Sequence, residues 1–293
     1  MPQPIEGACL CGTVTFEIAP PYRWFAHCHC SLCRKQHGTL HGTGLGVAHD
    51  RFHWRSGDHD IVHFRSTPAF ERPFCRHCGS AVPALAHDAR TWHVPAGLLL
   101  GDIGERPRTH IFVAAKAALE TITDSLPQHA LYPPGIEVPA VATRTAHSTR
   151  ASVAGSCLCG SVAFELDTPP RTLVKCHCSL CRRSRGTGFA TTLLGSPHGF
   201  RWAYGADRRR AYALPASRTY RTDFCADCGA PMPTFSKGAP FVLVPAGAVD
   251  TPLAPLPTVH IHLASKAEWC EISDDWPQFA ELPPAERRAE LFL

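Results

Sequence analysis

The chain has 293 residues, 44% of them hydrophobic, which is enough for a sizeable core and, by length alone, for about two domains. Its 29 basic and 25 acidic residues give a formal charge of +4 with no basic run, so nucleic acid and anionic membranes are not expected partners. No segment approaches the roughly 18 apolar residues of a membrane span, and the first ten residues lack the features of a secretory signal. We therefore expect a soluble, cytoplasmic protein.

Fifteen cysteines are a high number for a chain of this length. Seven fall in each half, an odd number that does not suit a closed set of disulfides, and Cys270 stands outside the pattern. A reducing cytosol would also favour metal thiolates over disulfides. Metal ligation is the better hypothesis.

The same cysteine pattern is written twice. Each copy has a Gly-x-Cys-x-Cys-Gly motif, then Cys-His-Cys-Ser-Leu-Cys-Arg, then Phe-Cys-x-x-Cys-Gly. The cysteines of the first copy are Cys9, Cys11, Cys28, Cys30, Cys33, Cys75 and Cys78. Those of the second copy are Cys157, Cys159, Cys176, Cys178, Cys181, Cys225 and Cys228. The offset is 148 residues up to Cys181 and 150 from Cys225, so only one loop changed length.

The repeat continues beyond the cysteines, because Val-Pro-Ala-Gly begins at both Val94 and Val244, and His-Ile begins at both His110 and His260. A period this long exceeds the 20 to 50 residues typical of solenoid repeats, so it indicates duplication of a whole domain. We predict a first zinc-binding domain at 1–132, a linker rich in Pro, Ala and Thr at 133–152, and a second zinc-binding domain at 153–293.

Alternation of apolar and polar residues predicts mostly β-strands. It follows the first cysteine pair of each copy, over 14–18 and again over 162–166, and further strands are expected near 52–54 and 70–75. The glycine-rich stretch 42–46 lacks the GxGxxG spacing of a phosphate loop, so we interpret it as a strand. Long amphipathic windows are scarce before the C-terminal tail. Two mainly β domains, each with one or two short helices, are predicted.

Four cysteines of each copy suit a closed zinc site. Cys9-x-Cys11 on a strand would present both side chains on one face, and Cys75-x-x-Cys78 before a glycine has the spacing of a zinc knuckle. Together they can complete a four-thiolate structural site. The same reasoning applies to the second copy.

Three cysteines of each copy then remain within six residues, and they can occupy three corners of a tetrahedron. An open fourth position is the mark of a catalytic zinc, and three soft thiolates suit a substrate thiol better than hydrolysis. A thiol bound there becomes a nucleophile near neutral pH, which is what addition to an aldehyde requires.

Spacing alone leaves alternatives open. Cys9 and Cys11 could join Cys30 and Cys33, and a histidine could fill the fourth corner to give an inert site. Of the nearby histidines only His29 recurs, and its position between two ligands favours a side chain that points away. Two arginines that follow the triads directly are candidates for binding a substrate carboxylate, and exposure to solvent is an equally good interpretation of them. They are Arg34 and Arg182.

The three motifs, in this order and twice over, resemble the glutathione-dependent formaldehyde-activating enzyme family, to which centromere protein V is related. The resemblance implies a β-tent fold of packed antiparallel sheets, a structural zinc on the four cysteines and a catalytic zinc on the three. It also implies a carbon-sulfur lyase that condenses glutathione with formaldehyde to S-hydroxymethylglutathione, with a small thiol and an aldehyde as substrates.

Two readings of the function follow from the sequence. The first is an enzyme of this lyase type with up to four zinc ions, one structural and one catalytic in each module. The second is a non-enzymatic zinc module that binds a protein or nucleic acid, against which the modest, dispersed charge argues.

Overall fold

A computed structural model describes residues 3–136, 152–217, 219–235 and 240–292. Most of the predicted linker, at 137–151, lies outside these described residues. We call the described part of 1–132 the first module and that of 153–293 the second module. Both are mainly β and carry corresponding sets of sheets, so the predicted mainly β, duplicated fold is confirmed.

Ten strands and one helix make up the first module. In chain order they are β1 (Ile5–Ala8), β2 (Thr15–Ile18), β3 (Trp24–Cys28), α1 (Ser31–His37), β4 (Gly42–Ala48), β5 (Phe52–Ser56), β6 (Ile61–Thr67), β7 (Phe70–Cys75), β8 (Ala84–Leu85), β9 (Thr91–Pro95) and β10 (Thr109–Ile111). The glycine-rich stretch is indeed a strand, β4, and the alternating stretch that contains β2 buries Phe16 and Ile18 on one face.

The second module repeats this order and adds one short strand, β18, and a C-terminal helix, α3. Its elements are β11 (Val153–Ser156), β12 (Ala163–Leu166), β13 (Leu173–Cys176), α2 (Ser179–Arg185), β14 (Ala190–Gly195), β15 (Phe200–Tyr204), β16 (Arg209–Ala213), β17 (Arg221–Cys225), β18 (Pro231–Met232), β19 (Thr234–Phe235), β20 (Val242–Pro245), β21 (Thr258–Ile261) and α3 (Ala285–Phe292). Among the described residues no helix is long and apolar enough to cross a membrane.

Each module has a five-stranded sheet that carries the three-cysteine motif at the end of one central strand. In the first module the strand order is β10-β3-β4-β9-β8, and in the second it is β19-β20-β14-β13-β21. β3 pairs in parallel with β10, as β13 does with β21, and the other pairs in these sheets are antiparallel. Each module also contains a smaller three-stranded sheet, β1-β2-β5 in the first and β11-β12-β15 in the second.

The hydrophobic cores are shared between the modules. Trp269 of the second module is 1% exposed and packs against Phe25 of the first, with ring centroids 5.5 Å apart. In the other direction, Leu32 of α1 is buried in the core of the second module. Because each core includes side chains from both modules, the two copies stabilise one another.

Both triad helices pack against the Val-Pro-Ala-Gly segment of the opposite module, and this explains why that motif recurs. A Cβ at Gly247 would lie 2.0 Å from the carbonyl oxygen of Arg34 in α1, and one at Gly97 would lie 2.6 Å from that of Arg182 in α2. Only glycine allows backbones to approach this closely. The modules therefore dock reciprocally.

Candidate metal centres

Four cysteine sulfurs converge in each module at one closed cluster. The clusters are Cys9, Cys11, Cys75 and Cys78 in the first module and Cys157, Cys159, Cys225 and Cys228 in the second. Within each cluster the ligand atoms all lie within 4.8 Å of one another, and none of the cysteines forms a disulfide. Neighbouring sulfurs such as those of Cys9 and Cys11 are 3.3–3.7 Å apart, close to the roughly 3.8 Å between thiolates on a tetrahedral zinc ion. The donor set and spacing fit zinc.

One detail of the sequence interpretation was wrong, because the Cys-x-Cys pairs do not lie on strands. Cys9 and Cys11 follow the end of β1 in a turn, which is closed by a 3.1 Å hydrogen bond from the N–H of Gly12 to the carbonyl of Cys9. Gly12 has φ of +81°, which favours glycine. The turn, instead of strand alternation, brings the two sulfurs to 3.3 Å.

Three cysteines form a separate cluster in each module. They are Cys28, Cys30 and Cys33 in the first module and Cys176, Cys178 and Cys181 in the second, again with sulfurs within 4.8 Å of one another. The alternative grouping of Cys9 and Cys11 with Cys30 and Cys33 is not the one that the structure shows. Ion binding at all four clusters remains a prediction.

A strand end and a helix start build each triad. Cys28 is the last residue of β3, Cys30 is the N-cap of α1, and Cys33 lies in the first helical turn. The sulfur of Cys30 accepts a 3.4 Å hydrogen bond from the N–H of Cys33, and Cys178 caps α2 in the same way. This cap fixes the direction of the sulfur.

The neighbouring histidine points away from the triad, as expected. His29 Nδ1 lies 2.7 Å from Glu120 Oε2, and its Nε2 lies 2.8 Å from His110 Nδ1. In neither module does a histidine of the described chain join the three sulfurs in one ligand cluster. Among the described residues, each triad therefore has three protein ligands.

Behind each triad lies a relay of two histidines and an aspartate. His110 Nε2 is 3.0 Å from Asp124 in the first module. The second module repeats this relay, with 2.9 Å from His177 Nε2 to His260 Nδ1 and 2.9 Å from His260 Nε2 to Asp274. Burial, aided by repulsion from His260, lowers the pKa of His177 to about 3. His110 and His260, which recur at corresponding positions of the two copies, are both held by hydrogen bonds in these relays.

A buried arginine lies beside the first triad, and no motif in the sequence indicates this contact. Both terminal nitrogens of Arg72, on β7, lie 3.7 Å from the sulfur of Cys33, and the side chain is 6% exposed. Hydrogen bonds from Cys28 and Cys30, and then the charge of Arg72, hold the pKa of Cys33 well below its ordinary value. Arg72 is 39 residues from Cys33 in the chain, so the contact depends on the tertiary packing of β7 against the triad and has no local signal in the sequence.

In the second module the arginine comes from another element. Thr222 stands at the position of Arg72, whereas Arg185 on α2 is buried near the triad. Burial lowers the pKa of Arg185, and the charges of Tyr220 and Cys181 oppose that shift. The pKa of Cys178 falls to about 2, mainly through hydrogen bonds from Cys176 and Cys181.

The two arginines predicted to bind substrate lie beside the triads, and their role remains a prediction. Arg34 donates 3.3 Å hydrogen bonds to the carbonyls of His29 and Ala115. Arg182 is partly buried, and its Nε has no hydrogen-bond partner among the described residues. Arg182 therefore keeps an unsatisfied donor, while Arg34 uses two of its donors to hold its own loop.

Four cysteine clusters with zinc-like spacing, a four-cysteine and a three-cysteine cluster in each half of a duplicated mainly β chain, are typical of a zinc-binding protein. The model of the family described as glutathione-dependent formaldehyde-activating enzyme matches residues 4–115 and again residues 152–265. The chain belongs to this family and contains two of its modules. The relation to centromere protein V stays a prediction.

Two individual proteins resemble parts of the chain. A Halomonas elongata protein, provisionally named as a glutathione-dependent formaldehyde-activating enzyme, is 33% identical over 129 residues, which are 40% of this chain and 79% of that protein. A Rhodobacter sphaeroides protein of known crystal structure is 22% identical and has a TM-score of 0.28, covering 35% of this chain and 92% of its own. The latter similarity is too low to inform the fold.

Proposed function

We propose that the chain is a zinc-dependent carbon-sulfur lyase, which joins or separates a small glutathione-like thiol and formaldehyde or another small aldehyde at each three-cysteine cluster. One observation carries the proposal: both triads are intact, and neither gains a fourth protein ligand among the described residues. Family membership supports it. The reducing cytoplasm is the compartment in which these cysteines would stay available for metal.

The triads would hold zinc through three thiolates. When bound there, zinc lowers the pKa of an incoming thiol, so that the thiol can react as a thiolate at neutral pH. Three cysteine thiolates and a substrate thiolate carry more negative charge than one divalent ion balances. Arg72 in the first module and Arg185 in the second reduce this excess, because their guanidinium groups are buried beside the clusters.

The reaction forms one bond between the thiolate sulfur and the carbonyl carbon. The carbonyl π electrons move to oxygen, which takes a proton, and the reverse reaction returns that proton and releases the aldehyde. Tyr132 remains protonated beside the first triad, because burial and then the charges of Cys28 and Cys33 raise its pKa to about 12. It is our candidate for holding the proton in the first module.

The second module has a different polar group near its triad. His262 stands at the position of Phe112, and both have φ of 59°, a strained conformation for residues other than glycine. His262 Nδ1 is 2.7 Å from Glu281 Oε2, and its charge contributes weakly to the low pKa of Cys178. We propose that this His262–Glu281 pair holds the proton there.

The experiment is exchange spectroscopy by NMR on mixtures of glutathione and formaldehyde, with the uncatalysed condensation as the baseline. We expect the wild-type chain to accelerate exchange above this baseline. Cys30→Ser and Cys178→Ser should each remove the contribution of one module to the exchange rate, and the double variant should exchange at the uncatalysed rate. The double variant should keep its circular dichroism spectrum and the metal of its four-cysteine clusters. No acceleration by the zinc-replete wild type would refute the activity, and unfolding of the double variant would make the triads structural.

A further inference from the structure

A different cluster of metal-ligand type occurs, within the described residues, only in the first module. It comprises His29, His41 and Glu120, whose ligand atoms all lie within 4.8 Å of one another. His29 Nδ1 is 2.7 Å from Glu120 Oε2, and His41 Nδ1 is 2.6 Å from Glu120 Oε1. Their side chains are 0%, 14% and 8% exposed. No lysine or arginine of the described chain forms an ion pair with this buried carboxylate.

If the imidazoles are neutral, the hydrogen-bond donors along the relay are one too few for the contacts that this cluster makes. The Asp124 carboxylate can only accept, so His110 donates from Nε2 and, as a neutral imidazole, accepts at Nδ1 from the Nε2–H of His29. His29 Nδ1 then carries a lone pair, yet it lies 2.7 Å from an oxygen of Glu120, which also carries lone pairs. The four groups Asp124, His110, His29 and Glu120 therefore need one further cation among them, either an additional proton or a metal ion.

The second module contains the relay but lacks the residues of the His29–His41–Glu120 cluster. It keeps His177, His260 and Asp274 in the relay, but Phe189 and Cys270 stand at the positions of His41 and Glu120. There, His177 Nδ1 is buried and has no hydrogen-bond partner among the described residues. The relay therefore forms without a carboxylate, and the second imidazole and the carboxylate are additional features of the first module.

We propose that His29, His41 and Glu120 bind one divalent first-row transition-metal ion, at a site separate from the cysteine clusters. Two imidazoles and one carboxylate are a ligand set for zinc, iron, cobalt or nickel. The relay supports it, because ligating histidines usually donate their outer N–H to a further polar group. The inference does not depend on the lyase activity.

The space around the cluster suits an ion with exchangeable ligands. A cavity of ≈ 240 Å³ between the modules is lined by His41 and Glu120, together with Lys175 and Phe189 of the second module. Ligand atoms of a tetrahedral ion with bonds of about 2.0–2.1 Å lie about 3.3 Å apart, so the two nitrogen-oxygen pairs need to open by roughly half an ångström. The cavity leaves room for this movement and for water on the open side of the ion.

The test uses the full-length chain loaded with only four zinc ions per chain, a limiting amount that the four thiolate clusters take first, so that the His29–His41–Glu120 cluster is free for cobalt. The protein is titrated with Co²⁺ and desalted, cobalt and zinc per chain are measured by mass spectrometry, and visible absorption distinguishes cobalt on nitrogen and oxygen from cobalt on thiolates. We expect about one cobalt per chain without a thiolate charge-transfer band and without loss of zinc. His41→Phe, which installs the residue of the second module, should abolish this uptake.

Two further variants make the test specific. The exposed His53→Phe is the matched control and should bind as the wild type does, whereas Phe189→His with Cys270→Glu should add a second cobalt ion. If His41→Phe fails to fold, Glu120→Gln replaces it, because the amide keeps the volume of the carboxylate. No cobalt uptake by the wild type, or equal uptake by wild type and a folded His41→Phe, would overturn the proposal and leave a shared proton between His29 and Glu120.

Discussion

The two modules repeat their cysteines and differ in the charges placed around them. Arg72 faces the third cysteine of the first triad from a strand, whereas Arg185 approaches the second triad from its own helix. At the shared cavity, the first module contributes His27, His41 and Glu120, and the second contributes a lysine, a phenylalanine and a cysteine at those positions. The duplicated fold therefore fixes where the clustered cysteines lie, while individual substitutions between the copies set the charge around each cluster.

The largest expected effect comes from the closed clusters, and it should cross from one module to the other. Cys78→Ser removes one of four thiolates, and we expect loss of one zinc and of about 4 kcal/mol or more in the free energy of unfolding. Leu180 of α2 packs against this cluster, and Arg183 of α2 donates a 3.0 Å hydrogen bond to the carbonyl of Leu10. Because α2 carries the triad of the second module, the activity of that triad should also fall.

The measurement is lyase exchange in a chain whose first triad is silenced by Cys30→Ser, so that only the second triad contributes. Calorimetry and zinc content follow stability in the same samples. Ser125→Ala, at an exposed position away from this cluster, is the control. If Cys78→Ser left the activity of the second module intact, the cross-module support would be disproved.

The next largest loss of stability is expected from a buried ion pair between the modules. Lys35 Nζ lies 2.7 Å from Asp250 Oδ1, and both side chains are less than 10% exposed. Lys35→Met leaves the carboxylate unpaired and should cost about 3–5 kcal/mol. Arg183→Met at the corresponding position removes bonds to backbone carbonyls only, so it should cost about 1–3 kcal/mol.

Denaturant unfolding measures this difference between the two linkages. Adding Asp250→Leu to Lys35→Met removes the orphaned charge and should recover most of the loss. Equal costs for the two single variants would show that the modules are linked more symmetrically than the contacts indicate.

The two docking glycines should respond alike. Gly97→Ala and Gly247→Ala each push a methyl group into the backbone of the opposite triad helix, and each should cost about 1–3 kcal/mol in the free energy of unfolding. Gly101→Ala, where no atom lies within 4 Å of the new Cβ, is the matched control. Chemical denaturation of the three variants tests the reciprocity, which a neutral Gly97→Ala would contradict.

The smallest effect is expected from the arginine beside the first triad. Arg72→Met removes positive charge near Cys33 and should raise the KM for the thiol about tenfold, or by about 1.4 kcal/mol, in the first module alone. Steady-state kinetics in the Cys178→Ser background measures the first triad, and the Cys30→Ser background provides the control. An equal rise in both backgrounds would point to general destabilisation.

The cysteine grouping and the β fold could be predicted from sequence because both are encoded locally. Two residues separate Cys75 from Cys78, and the alternation around Phe16 marks a strand with one buried face. The Cys9–Cys11 turn was misassigned as a strand, because the alternation of a strand and the convergence of a turn both place these two side chains together. Local patterns do not separate them.

Contacts between distant parts of the chain were not predictable in this way. Arg72 contacts Cys33 across 39 residues of the chain, and Glu120 contacts His29 across 91 residues. The docking of Leu32 in the opposite core likewise depends on how the modules pack. A single sequence holds no periodic signal for such contacts, although the replacement of Glu120 by Cys270 between the copies did mark that position as different.

The proposed function requires an open zinc position for a substrate sulfur at each triad. X-ray absorption at the zinc edge tests this requirement most directly. The His41→Phe variant is used, so that zinc lies only on the fourteen clustered cysteines. Without added thiol, we expect a mean of about 3.5 sulfur ligands per zinc ion, and we expect this mean to rise to about 4 when glutathione is added. If the number of sulfur ligands per zinc ion did not change, and a nitrogen of a protein side chain completed the coordination at the triads, the open position would be disproved.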